Sequence, residues 1–134
     1  MRLASLSPAA ARQQRQDRLR RDRAAAQAIR AAFPTIGRLR LDLRFEGTGS
    51  STPASQSHVM HPPARAFFEF PCPYADCDGQ FDLTAAVKAA LGTAAKETVG
   101  AIECPGLRAR DHATKQPCKL HLHFTITPEY QRDT

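Results

Sequence analysis

The sequence contains no tryptophan and only seven phenylalanines and two tyrosines among its 134 residues, together with ten prolines. These features predict one small, loop-rich domain with a modest core. The sequence also has no apolar run close to the roughly 18 residues that a membrane helix needs, so we expect no membrane association. Because an apolar signal-peptide core is lacking too, we predict a cytoplasmic protein with reduced thiols.

Motifs of catalysis are equally scarce. No glycine-rich phosphate loop, nucleophile elbow or kinase-type motif occurs in the sequence. Asp76 and Asp78 flank Cys77, but acidic residues in a turn usually serve the turn itself. We therefore predict that the protein is not an enzyme, and we keep enzymatic or metal-handling chemistry as the less favoured interpretation.

The basic charge is concentrated in the first 30 residues. Eight arginines against two aspartates give this segment a net charge of +6, which equals that of the whole chain. Ser7 and Pro8 form a typical helix start, and the sequence favours helix over residues 9–32, before Pro34. We predict a basic helical arm over residues 1–33, whose second half docks on the domain and whose first half projects into solvent.

Three interpretations of this arm stay open. It can be a solvated helix, a mitochondrial targeting peptide or a phosphate-binding arm. The third interpretation assigns nucleic-acid contacts to arginines that spread around the whole helix: Arg12, Arg15, Arg18, Arg20, Arg21 and Arg23.

Alternation of apolar and polar residues predicts four strands and a short helix in the rest of the chain. The predicted strands cover residues 38–46, 64–72, 97–104 and 119–127, and the helix covers residues 83–91, with Asp82 as its cap and Gly92 as its end. Residues 47–63 and 105–117 are predicted loops. We therefore predict an α+β domain over residues 34–130, with a four-stranded mixed sheet in ββαββ order and one packed helix, followed by a tail at 131–134.

All four cysteines are expected at one end of this sheet. The helix between the second and third strands matches a crossover between parallel strands, so Cys72 and Cys104 would both lie at strand ends on the same side. Cys118 would begin the returning strand there, and Cys77 would lie in the adjacent turn. Four sulfurs at one sheet end suit tetrahedral Zn²⁺, and because they fill its shell the ion would be structural.

The turns around these cysteines resemble the knuckles of zinc-ribbon proteins. The carrying residues are Cys72-Pro73, Cys77-Asp78-Gly79 and Cys104-Pro105-Gly106. The resemblance implies a metal site of that kind and no particular function. The sequence departs from the ribbon pattern, because its first pair is spaced C-x4-C and its second is spaced C-x13-C with no knuckle of its own.

Other states of the cysteines stay open at this point. They can form disulfides or remain buried free thiols. His112 can replace one sulfur as a ligand, and iron can take the place of zinc.

The outward face of the predicted sheet carries the binding hypothesis. An exposed aromatic residue among basic side chains is how open sheets stack single-stranded bases. The candidate residues outside the arm are Arg38, Arg40, Phe67, Arg108, Arg110, His121 and His123. Acidic residues interleave with them, however, and we therefore predict a non-catalytic structural-zinc module that acts as a protein-interaction or assembly adaptor, with binding of RNA or single-stranded nucleic acid as the alternative.

Overall fold

The computed structural model of the protein describes residues 7–47, 52–109 and 115–131. The chain forms an α+β fold, as predicted. Its helices are α1 (Pro8–Ala25), α2 (Ile29–Ala32) and α3 (Thr84–Gly92). Its strands are β1 (Ile36–Glu46), β2 (Gln56–Met60), β3 (Glu69–Pro71), β4 (Gln80–Asp82), β5 (Thr98–Glu103), β6 (Leu107–Ala109), β7 (Lys115–Pro117) and β8 (His121–Tyr130). Within these ranges, no helix combines the length and apolar character needed to cross a membrane.

A four-stranded sheet in the order β2-β1-β8-β5 is the centre of the fold, and all its pairings are antiparallel. The long strands β1 and β8 pair from Ile36 opposite Tyr130 to Glu46 opposite His121. Strict alternation in β1 places Leu41 and its apolar neighbours on the buried face, as predicted. We call the opposite, mostly polar face the outer face. It carries Arg38, Arg40, Asp42, Arg44, Glu46, Ser57, Val59, Val99, Ala101, Glu103, His121, His123, Thr125 and Thr127.

The predicted sheet topology is wrong in its second strand. Of residues 64–72 only β3 is a strand, and it pairs with β4 in a separate antiparallel hairpin. The main sheet instead takes β2 from residues 47–63, which were predicted as a loop. The turn between β3 and β4 is short, so a local hairpin closes at a smaller entropy cost than the predicted crossover. The mixed sheet in ββαββ order is therefore replaced by an antiparallel sheet flanked by two short hairpins, β3–β4 and β6–β7.

The core lies between the buried face of the main sheet, the β3–β4 hairpin and α3. Phe81 of β4 is completely buried, and its ring centroid lies 5.9 Å from that of Phe45. Val87 of α3 packs into the same core. Helix α3 starts one residue later than predicted, and Asp82 Oδ1 accepts a hydrogen bond from the Thr84 N–H at 2.9 Å. Burial of each such large side chain contributes roughly 1.5–3 kcal/mol.

The described part of the N-terminal segment contacts the domain at several points. Ser7 Oγ accepts a hydrogen bond from the Ala10 N–H at 3.1 Å, which confirms the predicted helix start. Helix α1 ends at Ala25 instead of continuing to residue 32, because the next residues pair with another part of the chain: the Ala66 N–H donates to the Gln27 carbonyl at 2.7 Å. The prediction that the first half of the arm projects into solvent fails at Arg15, which is only 5% exposed.

Candidate metal centre

The four cysteine sulfurs lie together in the interior. All four lie within 4.8 Å of one another, and each residue is at most 3% exposed. The Sγ atoms of Cys72 and Cys118 are 3.9 Å apart, and those of Cys77 and Cys104 are 3.6 Å apart. A tetrahedron of sulfurs around an ion with bonds of roughly 2.3 Å has edges of about 3.8 Å. The cysteine cluster can therefore hold a metal ion, and all four of its cysteines are free thiols, with no two joined in a disulfide.

The turn that joins β3 to β4, residues 72–79, forms the first knuckle. The Cys72 N–H donates to the Gly79 carbonyl at 3.0 Å, which closes the hairpin. Within the turn, the Gly79 N–H donates to Cys77 Sγ at 3.3 Å. A backbone donor aimed at a sulfur stabilises negative charge on it, so the turn is suited to a thiolate.

Cys104, Gly106 and Cys118 form a second knuckle with the same pattern of bonds. The Gly106 N–H donates to Cys104 Sγ at 3.4 Å, and the Gly106 carbonyl accepts from the Cys118 N–H at 2.9 Å. The prediction that this pair has no knuckle of its own is wrong. The knuckle is not recognisable in the sequence, because the β6–β7 hairpin is inserted between Cys104 and Cys118.

The two knuckles touch backbone to backbone at Gly79 and Gly106. A Cβ atom built on Gly106 would lie 2.3 Å from the Gly79 nitrogen, and one built on Gly79 would lie 2.6 Å from Cys104 Sγ. Both distances are far below van der Waals contact. Glycine is therefore required at both positions for the two halves of the cluster to meet.

Side chains of the first knuckle also hold β6 in place. Asp78 Oδ1 accepts from the Leu107 N–H at 2.6 Å, and Asp76 pairs with Arg108 at 3.0 Å. The Arg108 guanidinium lies 3.8 Å from the centroid of the Tyr74 ring. These contacts give the two aspartates and Arg108, a predicted nucleic-acid contact, a role in joining the knuckles.

Hydrogen bonds among the thiols shift the pKa values of the four cysteines in different directions. Hydrogen bonds from Cys104 and Cys72 lower the pKa of Cys77. The pKa of Cys72 is raised, first by its hydrogen bond with Cys104, then by that with Cys77, and further by burial. A divalent ion that binds the cluster would displace the protons held by the thiols whose pKa values are raised.

The cluster lies between the two knuckles, beside the end of the main sheet where β5 ends and β8 begins. The Cys104 N–H donates to the Leu120 carbonyl at 2.9 Å, which attaches the second knuckle to that end. The predicted convergence of the four cysteines occurs, but the predicted route through parallel strands does not. Two antiparallel hairpins bring the sulfurs together instead.

The predicted stacking residue Phe67 does not lie on an exposed face. Its side chain is 8% exposed, and the Arg23 guanidinium covers the ring at 5.2 Å from its centroid. Phe67 precedes β3 and lies outside the main sheet, because its segment pairs with the N-terminal chain. The expectation of an exposed aromatic on a basic sheet face is therefore wrong.

The other predicted nucleic-acid contacts are mostly engaged in pairs. On the outer face, acidic neighbours contact the basic side chains, in the pairs Arg38–Glu129, Arg40–Asp42, His121–Glu103 and His123–Glu46. On α1, Arg20 pairs with Asp17, and Arg18 pairs with Asp22. Arg18 also donates a hydrogen bond to Gln80. Arg12 is half-buried and Arg21 is exposed. Arg110 and His112 lie outside the described residues. In the described part of the chain, His121 and His123 belong to no second group of three or more metal-binding side chains.

Arg15 is the residue of the site whose role the sequence did not reveal. Its guanidinium Nη1 donates to the Cys77 carbonyl, so α1 touches the first knuckle directly. The arginines of α1 show no single basic face, and this pattern holds no signal that distinguishes Arg15 from the others.

Comparison of the chain with protein families, with curated proteins and with solved structures finds no match.

Proposed function

We propose that the protein is a non-catalytic binding module whose fold is stabilised by one structural Zn²⁺ ion, and that it acts as a protein-interaction or assembly adaptor. The observation that carries the metal assignment is the set of four buried sulfurs at tetrahedral separations. The ligands would be Cys72, Cys77, Cys104 and Cys118. Four sulfurs complete the coordination shell of zinc and leave no position for a substrate.

The small size of the hairpins supports a structural role for the ion. The β3–β4 and β6–β7 hairpins each pair only three residues per strand, and an isolated two-stranded hairpin is at best marginally stable. An ion that joins them would contribute on the order of 10 kcal/mol to folding. The knuckles would then be held in place by coordination as well as by packing.

Elemental analysis of protein purified from medium without added metal tests the assignment. We expect about one zinc and no iron per chain, and we expect Cys104→Ser to lose the ion. The double variant His121→Ala/His123→Ala, which removes two other potential ligands, is the matched control and should keep it. A folded wild-type protein without stoichiometric metal, or a cysteine variant that retains the ion, would refute the proposal.

The outer face supports the adaptor function over nucleic-acid binding. Its charges are of both signs and contact one another, whereas phosphate binding draws on unpaired cations. Val59 on one edge strand is 50% exposed, and Val99 on the other is 68% exposed. Exposed apolar side chains beside polar ones offer the kind of contact area that a protein partner can bury.

Site-specific photo-crosslinking distinguishes the two functions. A photo-reactive amino acid at Val59 or Val99 should give the same discrete protein adduct in cells, and one at the exposed Lys88 of α3 should not. Fluorescence anisotropy of a labelled single-stranded RNA measures whether the wild-type protein binds nucleic acid. We expect negligible binding both at low and at physiological salt. Nuclease-sensitive adducts, or RNA affinity that falls steeply with salt, would favour nucleic-acid binding instead.

A further inference from the structure

Arg15 is a buried cation with few hydrogen bonds. Its side chain is 5% exposed, and Nη1 donates to the Cys77 carbonyl. The remaining donors Nε and Nη2 are buried and have no hydrogen-bond partner among the described residues. An unpaired buried charge is strongly unfavourable, so a compensating negative charge is expected close by.

The cysteine cluster is a buried source of negative charge beside Arg15, which donates to the carbonyl of Cys77. Among the groups around Arg15, Cys77, Cys72 and Asp78 attract it when they are ionised, and Arg12 repels it. Asp78 is exposed to solvent, so its attraction is screened. The sulfurs are buried, and four thiolates around one divalent ion carry a net charge of two minus, which a low-dielectric interior does not screen.

We propose that Arg15 is the counter-charge of the metal centre, so that α1 is part of the site and its docking is coupled to metal binding. The inference rests on the proposed zinc site. Because coupling is reciprocal, the ion favours the docked helix and the docked helix strengthens binding of the ion. Without the ion, coordination no longer fixes the first knuckle, whose Cys77 carbonyl accepts the hydrogen bond from Arg15, and docking of α1 is weakened.

Other contacts place α1 on the same hairpin that supplies two of the sulfurs. Arg18 Nη2 donates to Gln80 Oε1, and Gln80 begins β4 directly after the first knuckle. Leu19 of the same helix is buried, and Arg23 covers Phe67 just before β3. Helix α1 therefore contacts this hairpin at its knuckle, at the start of β4 and just before β3.

Zinc affinity, measured by competition with a chromogenic chelator, tests the coupling. Residues that support metal ligands typically change affinity 10- to 100-fold when replaced, so Arg15→Gln should bind zinc at least about tenfold more weakly than wild type. Arg21→Gln removes an exposed charge from the same helix and should stay within about twofold. In the cobalt-loaded protein, loss of the Arg15 charge should move the sulfur-to-cobalt absorption band to lower energy.

Limited trypsin digestion measures docking of the helix separately. The zinc-loaded Arg15→Gln protein should be cut within α1 several-fold faster than zinc-loaded wild type, and Arg21→Gln should not, apart from the loss of its own cleavage site. If Arg15→Gln does not fold, Arg15→Lys replaces it: this variant keeps the charge and should bind zinc within about threefold of wild type.

The outcomes separate the inference from the metal assignment. A folded wild-type protein without metal refutes both. If wild type binds zinc while Arg15→Gln matches it in affinity, absorption band and digestion rate, the zinc site stands and the inference is refuted. A tenfold loss in Arg15→Lys would likewise refute a role based on charge.

Discussion

Replacing Gly106 with alanine tests the contact between the two knuckles. The new Cβ would lie 2.3 Å from the nitrogen of Gly79, 2.4 Å from its Cα and 2.9 Å from Asp78 Oδ1. Since ordinary contacts begin near 3.5 Å, the two backbones would have to separate by about 1 Å. The nearest atoms are backbone, so no side-chain rotation can relieve the overlap.

The expected cost follows from this geometry. Overpacking costs about 1–3 kcal/mol, and a rigid backbone neighbour places Gly106→Ala at the upper end of that range. Separating the knuckles would also weaken the hydrogen bond between them, from the Leu107 N–H to Asp78 Oδ1, which adds about 1 kcal/mol. We expect a total loss of about 4 kcal/mol, or roughly 12–16 °C in Tm for a domain of this size.

Denaturant and thermal unfolding of the metal-loaded proteins measure this loss. Gly92→Ala is the matched control, because a Cβ there meets no atom within 4 Å and alanine favours the end of α3. It should change the free energy of unfolding by between zero and about +1 kcal/mol. If Gly106→Ala is as stable as wild type, or if the control loses as much, the proposed contact between the knuckles is wrong.

Zinc binding near neutral pH should release about three protons, because hydrogen bonds from Cys104 and Cys72 lower the pKa of Cys77 while the pKa values of the other three thiols are raised. Since the ion competes with those protons, the affinity for zinc should rise with pH. Calorimetry in buffers of different ionisation enthalpy counts the protons released. A release of one proton or fewer would contradict the cluster geometry. Phe81→Ala should lose about 3–5 kcal/mol of unfolding free energy, because the side chain is completely buried. Val99→Ala, at an exposed position, should stay within about 0.5 kcal/mol, and equal losses in the two variants would contradict the assigned core.

Strict alternation made the central strands predictable. In β1 the apolar side chains recur at every second residue, and a slip of one position would place them all in solvent. The same holds for β8, which runs three residues beyond its predicted end at residue 127. The start of α1 was predictable for a similarly local reason, since Ser7 caps it and Pro8 follows.

Segments without such a local signal were predicted incorrectly. Strand β2 has no run of alternating large apolar residues, and it becomes a strand because the edge of β1 offers backbone partners. Phe67 fitted the outward phase of a strand that does not form, and α1 covers it instead. The break at residues 26–28 likewise depends on hydrogen bonds to residues 64–66, which propensity cannot indicate.

The sequence by itself determined the four cysteines, the glycine turns beside them, the alternating central strands and the basic N-terminal helix, because each is a matter of residue type and short-range periodicity. Only the tertiary structure decided that two separate hairpins bring the sulfurs together, that a second knuckle spans a thirteen-residue interval, and that Arg15 lies buried against the first knuckle. These features depend on contacts between residues 12 to 62 positions apart, from Gly106 and Cys118 to Arg15 and Cys77. Such contacts are selected by packing and by backbone hydrogen-bond satisfaction of the whole chain.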